Sequence, residues 1–164
     1  MKRLIVVRHG QADGPGDNSD LIEVGKSQIS DLVNKLKPLS DACRVLVIAS
    51  PLPRAKQSAK IIADMLRGSC EDDEILFPDT SGSSEIFQEK LDVILDLIRR
   101  RKSDADVLIL VTHSELPIFI SRNFLTEELG RPLNEVWPSL QYGRRPHYAG
   151  GVLVDCETGG VELI

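Results

Sequence analysis

Three short runs of apolar residues, Leu4–Val7, Val45–Ala49 and Val107–Val111, constrain this chain most. A strand with one wet face alternates apolar and polar residues. A run without alternation has to be covered on both faces, which is the condition of central strands in a parallel sheet flanked by helices. The runs are too short for buried helices, and helical periodicity lies between them. Ile29, Leu32, Val33 and Leu36 form the stripe of a helix from Glu23 to Lys37, which Pro38 is expected to end. Ala55, Ala59, Ile62 and Leu66 mark a second helix, opened by Pro53. Phe87, Leu91, Ile94 and Ile98 mark a third, capped by Ser83 or Ser84 and running to Arg101. A fourth is expected over Leu116–Leu129, with Pro117 in its first turn and Gly130 as its stop. Ile75–Phe77 reads as a further short strand, and Gly151–Cys156 with Gly160–Ile164 as a terminal hairpin. Strands alternating with helices make an α/β fold with a mostly parallel sheet.

With 164 residues the chain has the length of one domain, here taken as 1–164, and enough residues to bury a core. Its net charge of −5 argues against nucleic acid as a bulk partner. Arg99–Lys102 has the look of a nucleic-acid patch, but at a helix C-terminus it compensates the dipole. Glu71–Glu74 reads as a solvated acidic run. No apolar run spans a bilayer, so no membrane association is expected. Cys43, Cys70 and Cys156 are odd in number and match no metal or redox spacing, as expected of reduced thiols in a cytoplasmic protein.

The strand ends carry the chemistry. Ligands of open α/β sheets bind at the carboxyl edge. There the first run delivers Arg8, His9 and Gly10, the second Ser50 and, past Pro51 and Pro53, Arg54, and the third His113. A cation beside a helix N-terminus opposes the dipole, so Arg54 is better explained facing an anion than as a surface arginine. Two guanidinium groups with two imidazoles make a pocket for a dianion, since guanidinium matches phosphate oxygens bidentately. Metal binding is the competing use of the histidines, and the arginines oppose it by repulsion. Gly10 lets the backbone turn and approach a ligand closely. Asp13, Asp17 and Asn18, in the loop that follows, read as parts of a solvated connector. The sequence has no cysteine-based or glycine-rich phosphate loop. Imidazole is then the available nucleophile, provided that a backbone carbonyl holds one ring nitrogen and leaves the other's lone pair for phosphorus.

These residues match a known pattern. Val7-Arg8-His9-Gly10 resembles the Arg-His-Gly signature of the histidine phosphatase superfamily, the phosphoglycerate-mutase-like proteins. Leu21 to Gln28 is similar to the family's Leu-Thr-x-x-Gly-x-x-Gln segment, with Ile22 in place of threonine. Ser50-Pro51-Leu52-Pro53-Arg54-Ala55-Lys56-Gln57-Ser58-Ala59 is similar to Ser-Pro-x-x-Arg-Ala-x-Gln-Thr-Ala, and Val111-Thr112-His113 to the segment of the second histidine. The resemblance implies a three-layer α/β/α sandwich and no metal or organic cofactor. It implies His9 as the phosphorylated nucleophile and Arg8, Arg54 and His113 as the phosphate pocket, with Gly10 and Ser114 contributing to substrate binding.

Two departures stand out. The insertion that supplies a glutamate acid in larger members is short here. Glu85 is the nearest carboxylate by context, read either as that acid or as a helix N-terminal residue, with Asp79 second. Ser114-Glu115 also follows His113 where the family commonly has glycine. Size and layout look most like the compact SixA-type phosphohistidine phosphatases. The expected partner is a phosphorylated small molecule or a phosphohistidine-carrying protein. Mutase activity is disfavoured, because a short middle region leaves little to shield a phosphoenzyme from water. A non-catalytic phosphate-binding module is the alternative from another class. Arg131–Ala149, with the only tryptophan, Trp137, and the basic cluster Arg144–His147, is either a substrate cover or packing.

Overall fold

The structure, a computed structural model, describes residues 1–78, 84–136, 140 and 145–164. The three apolar runs are strands β1 (Arg3–Arg8), β2 (Val45–Ala49) and β4 (Val107–Thr112), in which every residue but Arg3 is buried. They lie in a six-stranded sheet of order β3-β2-β4-β1-β5-β6. β3 (Ser69–Asp72), β2, β4 and β1 are mutually parallel; β5 (Gly151–Asp155) pairs antiparallel with β1 and forms the terminal hairpin with β6 (Val161–Leu163).

Alternate residues of the strands feed two cores. Ile5, Val7, Val47, Ile109 and Val111 pack with Ile29, Leu32, Val33, Ile62 and Ala59 of helices α1 (Glu23–Ser40) and α2 (Pro53–Leu66). Leu4, Val6, Ile48, Leu108 and Leu110 pack on the other face with Leu91, Ile94 and Ile98 of α3 (Ser84–Arg101) and Ile118 and Ile120 of α4 (Leu116–Asn123). Each such fully buried aliphatic side chain contributes about 1.5–3 kcal/mol. The sheet between two helical layers is the expected α/β/α sandwich. A short helix, α5 (Leu133–Val136), follows within the expected loop.

Local readings differ in three places. Ile75 and Leu76 belong to a 3₁₀ turn, Glu74–Leu76, and the added strand is Ser69–Asp72 just before it. Its residues are all exposed at the sheet edge, so it carries no apolar signature. Half of the acidic run is thus strand, and Glu71 pairs with Arg101. Pro38 lies inside α1: near a C-terminus it forfeits one backbone bond, and Ser40 Oγ donates to the carbonyls of Leu36 and Lys37 there. The fourth helix changes at Phe124 to a π-helical turn, Phe124–Glu128, before Gly130 (φ 63°) stops it. Arg99 and Lys102 pair with Glu128, and Arg99 also with Asp96, so the basic run is largely neutralised. No helix among the described residues is long and apolar enough to cross a membrane. The three cysteines are unpaired thiols.

The loop after β1 is fixed against α1 by two glycines. A Cβ on Gly10 would stand 2.4 Å from the Gly25 carbonyl oxygen, and one on Gly25 2.1 Å from that of Gln11. Gly25→Ala is therefore expected to destabilise the protein by about 1–3 kcal/mol, the usual cost of overpacking where only backbone can yield. Denaturant midpoints for the two proteins check it.

Candidate active site

The register of the sheet assembles the site. Arg8 on β1 pairs with Thr112 on β4. His9 and His113 are each the next residue, so they share one parity and one side of the edge. Their ring centroids are 4.9 Å apart, the planes inclined at 56°. Arg54 enters from the first turn of α2, its Nε donating to His9 Nε2 at 3.2 Å. Only 7, 6, 6 and 2% of Arg8, His9, Arg54 and His113 is exposed. Two guanidinium groups that deep call for anionic partners, yet neither makes an ion pair among the described residues. Arg8 Nη1 donates to the Pro146 carbonyl at 3.1 Å, and Arg54 Nη1 to that of Gly16 at 2.7 Å. Arg8 Nε and both ring nitrogens of His113 are buried without a hydrogen-bond partner among the described residues. Leaving such groups unpaired costs about 1–3 kcal/mol each, so the pocket is built for a ligand that carries acceptors and negative charge.

His9 has the orientation that nucleophilic use requires. Its Nδ1–H donates to the Gly10 carbonyl at 2.6 Å, leaving the lone pair on Nε2, where Arg54 points. Burial pushes the imidazole down from 6.5 to about 4, against the Gly10 bond and with the help of Arg54, Arg8 and Arg145. Burial, then His9, Arg54, Arg8 and Lys90, push His113 down to about 2. Both are neutral at pH 7 in the free protein.

Residues that merely accompanied the motifs hold the loop in place. Ser58 Oγ accepts from Gly10 N and donates to the Arg54 carbonyl. Gln28 Oε1 accepts from Gln11 N. Gln57 Oε1 accepts from Leu21 N, and its amide donates to Asp20. The close approach that Gly10 permits is to α1 (the Gly25 carbonyl). The connector is less bland than expected, because Gly16 receives Arg54 and the Asp17 charge is felt there. Ser50 is fully buried, its Oγ 3.5 Å from Leu52 N, and belongs to the turn into α2.

Sequence reasoning missed the wall opposite α2. The Tyr148 ring lies over the Arg8 guanidinium at 3.8 Å and 5.8 Å from the His9 ring. Arg145 donates to Ser114 Oγ at 2.8 Å and lowers the proton affinity of Arg8 and His9. Ala149 N donates to the His9 carbonyl, and Arg8 N to that of Gly150. The end of the Arg131–Ala149 segment is thus part of the site; the basic cluster was the only hint. Trp137 and Arg144 lie outside the described residues, as do Ser83 and Asp79. Glu85 is exposed in the first turn of α3 and makes no hydrogen bond or ion pair among the described residues. Glu115, expected only to start a helix, does so as the α4 N-cap, and it also borders a recess beside His113 and acts on Arg8. No group of three metal-ligating side chains forms among the described residues.

The model of the histidine phosphatase superfamily (branch 1) matches residues 4–77, the stretch that holds Arg8, His9 and Arg54. Solved structures agree on the fold along the whole chain. A candidate alpha-ribazole-5'-P phosphatase from Escherichia coli K-12 is 15% identical with a TM-score of 0.68, covering 99% of this chain and 94% of that one. A candidate phosphohistidine phosphatase SixA from Agrobacterium tumefaciens is 16% identical (TM-score 0.65, 99% and 95% covered). Mycobacterial glucosyl-3-phosphoglycerate phosphatase is 17% identical (TM-score 0.65, 99% and 96% covered). No curated protein matches in sequence.

The depressed histidines make stability depend on pH. In the unfolded chain both imidazoles take protons near pH 6.5; the folded protein resists until about 4 at His9 and about 2 at His113. The unfolded state therefore holds more protons below pH 6.5, and stability falls as pH falls. Each histidine contributes a slope of about 1.4 kcal/mol per pH unit. His113→Asn is expected to reduce the slope between pH 6 and 4.5 by that amount, read from denaturant unfolding at several pH values.

Proposed function

We propose that this protein is a phosphatase that works through a covalent phosphohistidine on His9. The observation that carries the reading is the His9 hydrogen bond to the Gly10 carbonyl, which commits the lone pair to Nε2 inside a pocket whose donors on Arg8 and His113 have no partner among the described residues. A phosphoryl dianion takes Arg54 Nε from His9, freeing Nε2 to attack. Nε2–P forms as the bond to the leaving group breaks, and the leaving group departs with that electron pair. Arg8, Arg54 and His113 face the equatorial oxygens, where charge accumulates. Water then attacks phosphorus and the imidazole leaves, returning the free enzyme and inorganic phosphate.

The substrate is either phosphohistidine on a protein or a small phosphomonoester, the two kinds named for the structural neighbours. With Glu85 exposed and outside the hydrogen-bonded pocket, we assign it no part where the leaving group departs unaided. Unpaired thiols suit a reducing compartment such as the cytoplasm.

Hydrolysis of an aryl phosphate tests the reading. His9→Asn is expected to abolish turnover and to trap no phosphoenzyme after acid-free quenching, whereas the unaltered protein shows an acid-labile, alkali-stable one. Arg54→Ala is expected to lower kcat/KM by about a hundredfold to a thousandfold. Glu85→Gln is expected to leave aryl phosphate turnover within about twofold. Phosphate binding without turnover on any ester or phosphoramidate would favour a binding module instead.

A further inference from the structure

The recess beside His113 has a different chemistry from the phosphate pocket. It has a volume of 180 Å³, shares His113 and Ser114 with the pocket, and is otherwise walled by Pro78, Phe87, Leu116 and Phe119 together with Glu115. Phe87 on α3 and Phe119 on α4 meet edge to face, centroids 5.0 Å apart and planes at 82°. Both are half-buried and packed against the core, so the wall they make is preformed. A larger recess of 710 Å³ lies at the far end of the sheet, between the ends of α1 and α2, away from every residue of the site.

We propose that this recess is the leaving-group subsite, and that it takes a flat aromatic ring bonded to the phosphoryl group. The inference rests on the phosphatase reading and narrows its substrate class. Size supports it, since an apolar hollow of about 150 Å³ holds one benzene ring. Chemistry supports it too. Pro78, Phe87, Leu116 and Phe119 return no hydrogen bond to the hydroxyl groups of a sugar, and the Glu115 carboxylate repels that of a glycerate. A ring presents its edge and faces to the two phenylalanines in the offset and edge-on geometries that aromatic groups prefer. Position completes the argument, because a phosphoryl group bound to His113 has this hollow immediately beside it.

The ring has two sources, the imidazole of a phosphohistidine side chain or the phenol of an aryl phosphate. In either case P–N or P–O breaks as Nε2–P forms. Imidazole protonated on its distal nitrogen leaves neutral, and phenol leaves as phenoxide, so neither needs a proton delivered at the breaking bond. Glu115, at the border of the recess, is placed to accept from a ring N–H, which an imidazolium offers and a phenyl ring lacks.

Binding of inorganic phosphate, methylphosphonate and phenylphosphonate to the full-length protein tests the proposal without turnover. Phenylphosphonate is expected to bind about tenfold to a hundredfold more tightly than methylphosphonate. Phe119→Leu should shrink that ratio at least threefold to about fivefold and leave the phosphate constant unchanged. Equal constants for the two phosphonates, with phosphate binding and His9 phosphorylation intact, would overturn the subsite and spare the phosphatase reading. Failure of all three anions to bind would overturn both. Turnover then separates the sources: N-phosphoimidazole and a phosphohistidine peptide hydrolysed in preference to phenyl phosphate, with the preference lost in Glu115→Gln, identifies imidazole, and the reverse order identifies phenol.

Discussion

The parallel pairing of β1 with β4 is the constraint on which the site depends. One set of backbone hydrogen bonds aligns Arg8 with Thr112 and thereby brings His9 and His113, 104 positions apart in the chain, to 4.9 Å between ring centroids. A slip by one residue would turn every side chain of β1 to the other face. Ile5 and Val7 would then exchange places with Leu4 and Val6 between two different cores. The packing of the whole sandwich thus defends the alignment of two imidazoles at its edge.

Around that alignment the protein holds like charges together without neutralising them. Burial and the arginines keep both histidines unprotonated, and the carbonyls of Gly10, Gly16 and Pro146 direct the polar groups without supplying a counter-charge. The free protein is consequently less stable than an apolar packing of the same edge would be. On the proposed phosphatase reading, phosphate binding would stabilise the folded state. The same arrangement explains why the loop after β1 is tied by Ser58, Gln28 and Gln57, since a mobile His9 would lose the direction of its lone pair.

The three central strands, most of their helices and the four buried pocket residues could be read from the chain because they depend on local rules. Unbroken apolar runs report burial on both faces, and ligands gather at strand ends. The edge strand Ser69–Asp72 escaped the same rule, being exposed along its length and held by backbone bonds alone. Ser50 was misplaced because a strand end gives position without direction, and its hydroxyl turns back to its own loop. Arg145 was legible only as part of a basic cluster and Tyr148 left no signal, for nothing local says that a segment before β5 folds over Arg8.

The sequence by itself determined a parallel α/β core and a polar edge that sets imidazoles among arginines, because composition and periodicity act over a few neighbouring residues. Tertiary structure alone decided which imidazole nitrogen is free, which carbonyls hold the guanidinium groups, and that an aromatic hollow adjoins His113. Those properties arise between elements far apart in the chain, where distance and orientation in space, and not spacing in sequence, set the interaction.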